Sequence, residues 1–226
     1  MHMKGHVHRD TVNPSEYSVE KIPSKEGKAF VIEHHYSHGI HNGPMTYGLK
    51  RDGELVGVCA FATPCSENVR ASIYGKERKQ EVTELHRLVL LDEIPHNAES
   101  FFISRSLKAL HADKPHLSAV VSFADATEGH TGVIYQATNA IFYGRSPRAR
   151  FYLDTTGRLR HPRQNGRNIT LRMAAERGWE PVMREGKYRY LFLLAKGRRR
   201  RRLIESLAIQ PQPYPGPRDH PIRKAA

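Results

Sequence analysis

The chain has 226 residues, of which 38% are hydrophobic, and its formal net charge is +13. This length suits one sizeable domain with a tail. No run of 18 apolar residues occurs, which excludes a membrane-spanning helix, and the N-terminal residues lack the apolar stretch of a secretory signal. Two cysteines, Cys59 and Cys65, are too few for a disulfide framework. We therefore expect a reducing, cytoplasmic setting.

The positive charge is divided between a body and a tail. From Lys196 onward, nine basic residues face two acidic ones, so this segment carries +7 and the rest of the chain +6. A body that is still basic without its tail indicates a polyanionic partner, most often nucleic acid. The alternative is a surface charge that serves solubility.

Periodicity and turn residues predict the elements of the first half of the chain. Residues 1–14 are a flexible leader. In chain order, the expected elements are a strand over 17–22, a helix from Ser24 to near Gly39, hairpin strands over 45–50 and 54–61 around Asp52-Gly53, a polar loop over 64–78, and a strand over 84–91.

The second half continues the alternation of helices and strands. The expected elements are a helix capped by Asn97, a buried strand over 117–123, a helix over 131–142 stopped by Gly144, a basic hairpin over 151–161, a helix from Asn168 to 177, a strand over 188–195, and a Pro-rich, disordered end. This order predicts an α/β domain with a mixed central sheet flanked by helices, an extra basic hairpin and a disordered C-terminal tail.

The densest group of polar residues lies between Ser122 and Gln136. Asp125 follows the predicted central strand, at the end of the sheet where open α/β folds bind ligands. Gly129 and Gly132 let the backbone approach a ligand closely. Tyr135, about one turn into the next helix, forms with Asp125 a couple suited to proton transfer. The alternative is that Asp125 is a helix cap and Tyr135 a core residue.

Arg87 and the histidines near residue 35 offer further chemistry. Arg87, on a strand, suits a clamp for a phosphate or a developing oxyanion, or else a structural partner for a carboxylate such as Asp125. His34 and His38 are spaced to share one helix face and hold a metal. The third ligand would come from His41, His86 or His130. Surface or phosphate-contacting histidines are the alternative.

Arginines interleaved with Tyr152 indicate a nucleic-acid surface, because they neutralise phosphates and the aromatic ring can stack on bases. A run of arginines at 198–202 would add salt-sensitive affinity, or is a solvated tail. The candidate DNA-contacting residues are Arg148, Arg150, Arg158, Arg160, Arg163, Arg199 and Arg200.

Several motifs together resemble a known family. The strand–helix–strand–helix order with Tyr135 resembles the acyl-CoA-dependent N-acetyltransferase (GNAT) superfamily. The motifs are similar to those of the phage Mom family over about residues 30–165; they are Leu85-His86-Arg87-Leu88-Val89, Asn97-Ala98-Glu99-Ser100, Ser122-Phe123-Ala124-Asp125, Gly129-His130-Thr131-Gly132 and Ile134-Tyr135-Gln136-Ala137-Thr138-Asn139.

The resemblance implies a DNA-modifying transferase in the cytoplasm of a phage-infected bacterium. Such an enzyme adds a carbamoylmethyl group to adenine N6 in double-stranded DNA and shields the DNA from restriction nucleases. Asp125, Tyr135 and Arg87 would be its catalytic residues. The GNAT-like domain would cover 15–196, followed by a basic, Pro-rich tail over 197–226. The resemblance also implies iron held near His35 and Tyr36.

The segment that binds the CoA pyrophosphate in GNAT enzymes departs from their pattern. Asp92–Ser100 has no glycine, carries two acids at its start, and contains Pro95, which has no N–H. The donor is therefore open between acetyl-CoA and another molecule. Helix N-terminal amides still suit an anion. The candidate cofactor-binding residues are Asn97, Ser100, Gly129, Thr131 and Gly132.

Two other functions compete with DNA modification. One is an ordinary N-acetyltransferase acting on an amine, against which the missing glycine loop argues. The other is a non-catalytic nucleic-acid-binding protein, which the charge permits. That second alternative predicts that Asp125 and Tyr135 are buried in packing contacts, away from any cleft.

Overall fold

The computed structural model describes residues 11–35, 38–40, 43–64, 66–95, 97–164 and 167–216. The strands are β1 (Tyr17–Ile22), β2 (Met45–Arg51), β3 (Glu54–Ala62), β4 (Val82–Leu90), β5 (Ala119–Ala124), β6 (Ile141–Arg145), β7 (Ala149–Leu153), β8 (Leu159–Arg160), β9 (Arg163–Gln164), β10 (Arg167–Asn168), β11 (Glu180–Arg184) and β12 (Tyr188–Leu193). The helices are α1 (Ser24–His34), α2 (Glu67–Tyr74), α3 (Ala98–Asp113), α4 (Val133–Ala137), α5 (Leu171–Glu176) and α6 (Gly197–Glu205).

A seven-stranded mixed sheet forms the centre of the protein, in the order β1–β2–β3–β4–β5–β12–β6. Strands β4 and β5 run parallel and the other neighbours run antiparallel. The predicted hairpin joins β2 to β3 through Asp52 and Gly53, both with positive φ, as a two-residue hairpin turn requires. The fold class predicted from the sequence, a mixed central sheet flanked by helices, is confirmed.

The two parallel strands separate along their length. Val82–Glu84 of β4 pair with Ala119–Val121 of β5, and beyond these residues the two strands share no ladder. The Ser122 hydroxyl donates to the carbonyl of Leu85 (3.3 Å) just where they part. The divergence opens a gap in the middle of the sheet, at the carboxyl end of β5.

Both faces of the sheet are covered by helices. Helices α3 and α4 cover one face, where Val120 and Ala124 of β5 join the largest core cluster. Helices α1, α2 and α6 cover the other face, where Ala119 and Val121 join a second cluster with Leu203 of α6. The alternation along β5 is the two-residue period of a strand that is buried on both faces.

A small sheet in the order β11–β7–β8 projects beyond the carboxyl end of β5. It contains the predicted basic hairpin, β7–β8, and also β11, which the sequence analysis did not predict. The amide of Ser146 donates to the carbonyl of Lys187 (2.9 Å), which ties the two connections to the main sheet together. Gly186 is required there, because a Cβ atom would lie 2.8 Å from the carbonyl carbon of Ser146.

Three predicted elements differ in the structure. The segment 64–78 contains α2 instead of a polar loop, because Val69, Ile73 and Tyr74 form an apolar stripe among polar residues. The helix predicted over 131–142 is the much shorter α4 (Val133–Ala137), and Asn139, with its left-handed backbone, ends it before β6. The helix predicted to begin at Asn168 is α5, and its cap is Thr170, whose side chain accepts from the amide of Met173.

Residues 197–205 form α6, so the predicted disorder is wrong for this part of the tail. Arginine is a good helix former, and Leu203 anchors α6 in the core. Beyond α6, the amide of Gln212 donates to the carbonyl of Phe142 (2.8 Å), and the Tyr214 hydroxyl donates to the carbonyl of Ala140 (2.8 Å). These bonds cover the open edge of β6. Residues 1–10 of the predicted leader and 217–226 of the predicted tail lie outside the described residues.

None of the helices in the part of the chain that the structure describes has the length and apolar character needed to cross a bilayer.

Candidate active site

A cleft of about 950 Å³ occupies the gap between β4 and β5. It brings together the three residues predicted to be catalytic, Arg87, Asp125 and Tyr135. Gly129, Thr131 and Gly132, predicted to bind a cofactor, line it as well. The non-catalytic alternative predicted that Asp125 and Tyr135 lie away from any cleft. In the structure, both residues line this one.

Asp125 begins the turn that follows β5, and its carboxylate has several partners. One oxygen accepts from the amide of Thr127 (3.0 Å) and from Nη2 of Arg184 (3.2 Å), while the other lies 3.5 Å from Nζ of Lys187. The carboxylate is 13% exposed. Asp125 is therefore a cap, as the alternative predicted, and also part of the cleft wall with two cations beside it.

Arg184 joins the small sheet to this turn. Its guanidinium also donates to Glu128 (2.9 Å) and to the Thr127 hydroxyl (3.3 Å), and its side chain is only 17% exposed. One arginine thus bridges two carboxylates across the junction. The sequence analysis missed it because it lies 59 residues from Asp125.

Tyr135 lines the cleft from the α3/α4 face of the sheet. Its ring packs against Tyr190 (centroids 5.4 Å apart) and Phe192 (5.9 Å) of β12. Tyr190 is fully buried, and its hydroxyl donates to the carbonyl of Thr131 and accepts from Nε2 of Gln136 (2.9 Å). Tyr190 therefore holds the loop and helix that carry Tyr135.

Gly132 allows this close packing. Its φ is +82°, and a Cβ atom would lie 2.8 Å from Cζ of Tyr190 and 3.1 Å from Cδ2 of Tyr135. Gly129 also has a positive φ, of +76°, but nothing lies within 4 Å of where its Cβ would be. The two glycines therefore have different structural roles, although both line the cleft.

Arg87 lies on the opposite face of the sheet from Tyr135. The β3–β4 ladder shifts register there: Ala60 pairs with Arg87, but Phe61 pairs with Leu85, so His86 is an extra residue. Ala60 belongs to the α1 face, which places Arg87 on that face too. Its guanidinium donates to the carbonyls of Gly39 (2.8 Å) and His86 (2.7 Å). The ion pairs of Asp125 are made with Arg184 and Lys187.

His35, the candidate iron ligand, lines the cleft beside Arg87. Burial lowers the pKa of His35 to about 4, and the charges of Arg87, His86 and His38 contribute to the lowering. Its imidazole is therefore neutral near pH 7. Within the described ranges, no three His, Cys, Asp or Glu side chains are grouped to hold a metal. Tyr36 and His41 lie outside the described residues, as do Cys65 and His96.

The predicted pairing of His34 and His38 on one helix face is wrong. Helix α1 ends at His34, and His38 has a positive φ of 45°. His34 packs against Phe30 (ring centroids 4.5 Å), while Nδ1 of His38 lies 2.8 Å from the carbonyl of Ile32. The described residues therefore do not fit an iron site.

The segment before α3 does not fit a pyrophosphate. The amide of Ala98 donates to the carbonyl of Pro95 (3.4 Å), and the Ser100 hydroxyl donates to the carbonyl of Asn97 (3.0 Å). The described cleft lining here is Asp92, Ile94, Pro95 and Glu99, without Asn97 or Ser100. Two carboxylates would repel a diphosphate, and these two donors are already used within the segment. The segment therefore does not fit the pyrophosphate of CoA.

The small sheet places part of the predicted basic surface beside the cleft. His161, Ser146 and Lys187 line the cleft itself. The exposed arginines of this surface are Arg148, Arg150, Arg158 and Arg163. Arg148 lies 2.8 Å from Glu185, so part of its charge is compensated.

Arg160 has a structural partner. Its guanidinium lies 2.6 Å from the buried carboxylate of Asp154, which also accepts from Thr156 and from the amide of Arg158. These donors hold the pKa of Asp154 far below its usual range, the Thr156 hydroxyl most of all. Arg160 thus fixes the β7–β8 turn, unlike its exposed neighbours.

Arg199 and Arg200 lie far from the cleft. They belong to α6, which follows β12, and Leu193 at the end of β12 pairs with Ala119 at the start of β5. Asp125 follows the other end of β5, about 20 Å away for a six-residue strand. The basic run and the basic small sheet are therefore separate surfaces.

Two further cleft residues, Glu84 and Phe123, were not singled out as functional from the sequence, and His86 was considered only as a possible third metal ligand. Glu84 and His86 follow one another at alternate positions of β4, and Phe123 lies two residues before Asp125. Two ionisable residues at alternate positions of a predicted strand were the available signal, because burying such groups is costly unless they have partners.

Two comparisons of the sequence with known proteins identify its family. A sequence model of the Mom protein family matches residues 16–216. The "Methylcarbamoylase mom" of Escherichia phage Mu is 31% identical over 208 residues, which are 88% of this chain and 84% of the relative. Among solved structures, yncA of Salmonella typhimurium, a putative acetyltransferase with acetyl-CoA, gives a TM-score of 0.47 at 9% identity, covering 81% of this chain and 96% of its own. A GNAT-family acetyltransferase of Streptococcus pneumoniae gives 0.47 at 9% identity, covering 80% and 100%. The family match and the phage Mu relative show that this chain belongs to the Mom protein family.

Proposed function

We propose that this chain is a DNA-modifying transferase that adds a carbamoylmethyl group to N6 of adenine. The observation that carries the proposal is one cleft lined by Arg87, Asp125 and Tyr135, with a basic sheet beside it, in a member of the Mom family. The name of the phage Mu relative, a methylcarbamoylase, supports the type of group.

Adenine must leave the base stack to be modified. Its N6 lone pair is delocalised into the ring, and the amino group lies inside the duplex, so an enzyme with a recessed cleft has to extrude the base. Exposed arginines of the small sheet would hold the phosphates on both sides of the extruded nucleotide. His161 and Lys187, which belong to this sheet and its connection, line the cleft and continue the basic surface inward.

The reaction joins N6 to a methylene carbon. N6 forms the new N–C bond, the bond from that carbon to the donor's leaving group breaks, and the leaving group takes the electron pair. Asp125 accepts a hydrogen bond from the amino group and then its proton. Arg184 and Lys187 lie within 3.5 Å of the carboxylate, so they hold it in position for this transfer.

The remaining two residues act on the departing charge. Tyr135 donates its phenolic proton to the leaving group, and Arg87 stabilises negative charge during the transfer. The donor is a carbamoylmethyl compound with a leaving group, and the segment before α3 does not favour CoA as that group.

The biological consequence would be protection of phage DNA from restriction nucleases in the cytoplasm of an infected bacterium. A modified N6 changes the donor pattern of adenine in the major groove, which many sequence-specific proteins contact. Such protection needs only the modification, and no further activity of the chain.

Mass spectrometry of nucleosides tests the proposal. DNA from bacteria expressing the chain should contain an adenine nucleoside heavier by one carbamoylmethyl group. Replacing Asp125 by Ala should abolish this nucleoside while the variant still binds DNA. Glu33→Gln, on the exposed surface of α1, is a control that should leave the product unchanged. DNA without any modified adenine in the wild-type sample would contradict the proposal.

A further inference from the structure

One wall of the cleft has no role in the chemistry described above. Glu84 and His86 of β4 and Phe123 of β5 line the cleft together. Glu84 pairs with Val121, which belongs to the cluster on the α2 face, and Phe123 packs against the same cluster. Glu84 and Phe123 therefore lie on the α2 face of the gap, and His86 contacts Glu84 there. We call these three side chains the α2-side wall.

Phe123 presents an aromatic ring to the cleft. On one side, β5 pairs with β12, where Phe123 faces Arg189. On the other side, β4 has already diverged, so no strand covers the ring there. Phe123 is partly exposed, whereas Val121, two residues earlier on the same face, is fully buried. The divergence of the strands is thus what exposes this ring.

Glu84 and His86 place a polar pair beside that ring. Nδ1 of His86 lies 3.5 Å from Oε1 of Glu84, and their side chains are 8% and 15% exposed. This pair places a carboxylate and an imidazole, both largely buried, on the wall of the cleft. Val69 of α2, with Ser66 and Pro64 before it, lines the same cleft.

We propose that the α2-side wall is the pocket for the extruded adenine, with Phe123 stacking on the base and Glu84 accepting a hydrogen bond from its amino group. The inference rests on the proposed function and identifies its base-binding residues. An aromatic ring beside a carboxylate suits a flat heteroaromatic ring that carries an exocyclic amine.

This assignment fits the proton balance of the reaction. Adenine N6 carries two hydrogens and the product keeps one. Asp125, at the rim of the gap, takes the hydrogen that is lost, and Glu84, deeper in the gap, holds the one that stays. A carboxylate there also discriminates against hypoxanthine, whose O6 accepts hydrogen bonds and would face the charged acceptor without a shared proton.

Binding measurements test the role of Phe123 without any donor. A duplex with adenine opposite an abasic site extrudes that adenine easily, so the wild-type protein should bind it more tightly than the fully paired duplex. Phe123→Ala should weaken binding to the abasic duplex about tenfold, which is the usual size of a lost base–aromatic stack, and should leave the paired duplex unaffected.

Two further variants guard against loss of folding. Phe123→Tyr keeps the ring and should keep the preference for the abasic duplex. Phe101→Ala removes a partly buried phenylalanine on α3, outside the cleft lining, and should also keep it. Wild-type affinity for the abasic duplex in the Phe123→Ala variant would overturn the stacking role.

A second comparison tests Glu84. With adenine or hypoxanthine opposite the abasic site, the wild-type protein should prefer adenine. Glu84→Gln should reduce that preference about tenfold, because an amide can donate to O6 as well as accept from N6. Glu33→Gln is the matched control and should not change the preference. An unchanged preference in Glu84→Gln would overturn its role.

The two proposals can fail separately. A chain that produces no modified adenine in cells, but whose adenine preference depends on Phe123 and Glu84, would contradict the reaction and support the pocket. A chain that produces modified adenine, but whose variants Phe123→Ala and Glu84→Gln bind and select bases like the wild type, would contradict the pocket and support the reaction.

Discussion

Replacing Gly132 by Ala tests how the candidate active site is built. The residue has a φ of +82°, and a left-handed backbone costs an L-residue with a Cβ about 1 kcal/mol. The added methyl group would also meet the ring of Tyr190 at 2.8 Å, inside a fully packed cluster, and overpacking of this kind costs about 1–3 kcal/mol. We expect Gly132→Ala to reduce the free energy of unfolding by about 2–4 kcal/mol.

Gly129→Ala is the matched control in the same loop. It has a φ of +76° but an open space around its Cβ position, so we expect only the backbone cost of about 1 kcal/mol. Urea unfolding followed by circular dichroism measures both variants against the wild type. Equal losses of stability in the two variants would refute the conclusion that Gly132 is required by contact with Tyr190.

Three other predictions follow from contacts around the cleft. Arg184→Gln should cost about 2 kcal/mol of stability, because its charge-assisted bonds to two carboxylates are lost and its side chain is only 17% exposed. Arg172→Gln, which breaks an exposed helical pair with Glu176, should cost less than about 0.5 kcal/mol. Urea unfolding measures both costs, and equal costs would contradict the stabilising role of Arg184. Each Arg→Gln change among Arg148, Arg150, Arg158 and Arg163 that removes a phosphate contact should lower the salt dependence of DNA binding by about 0.9 in log–log slope, whereas the same change at Arg172 should not. An unchanged slope in all four variants would exclude this basic surface from DNA binding. Hydrogen-bond donors lower the pKa of Asp154 in the folded state, so its contribution to the free energy of unfolding should be complete above the unfolded pKa of about 3.9 and be lost as pH falls below it. Over that pH range, the free energy of unfolding should therefore fall less in Asp154→Asn than in the wild type. Parallel pH profiles of the two proteins would contradict this prediction.

The sequence predicted the sheet well because strands and tight turns leave local signals. Alternating or continuous apolar runs marked β1, β5 and β12, and Asp52-Gly53 marked the β2–β3 turn. The same local reasoning failed where a long-range contact decides the structure. Helix α6 depends on Leu203 reaching the core cluster around Ile73, which is 130 residues earlier in the chain.

The candidate site was predictable in its parts but not in its arrangement. Asp125 and Tyr135 were found because they follow a central strand in a dense polar motif. Their relation to Arg87 depends on where β4 and β5 stop pairing, and on the extra residue His86 in β4. Neither feature has a sequence signal. Arg184 was missed for the same reason, since a strand that was not predicted brings it to Asp125.

The position of the added group on adenine tests the central claim most directly. DNA from cells expressing the wild-type chain should be digested to nucleosides, and the modified adenine fragmented by tandem mass spectrometry. The account predicts that the carbamoylmethyl group is bonded to the exocyclic nitrogen, and that Asp125→Ala yields none of this nucleoside. A group bonded to a ring nitrogen, or a product that persists in Asp125→Ala, would contradict it.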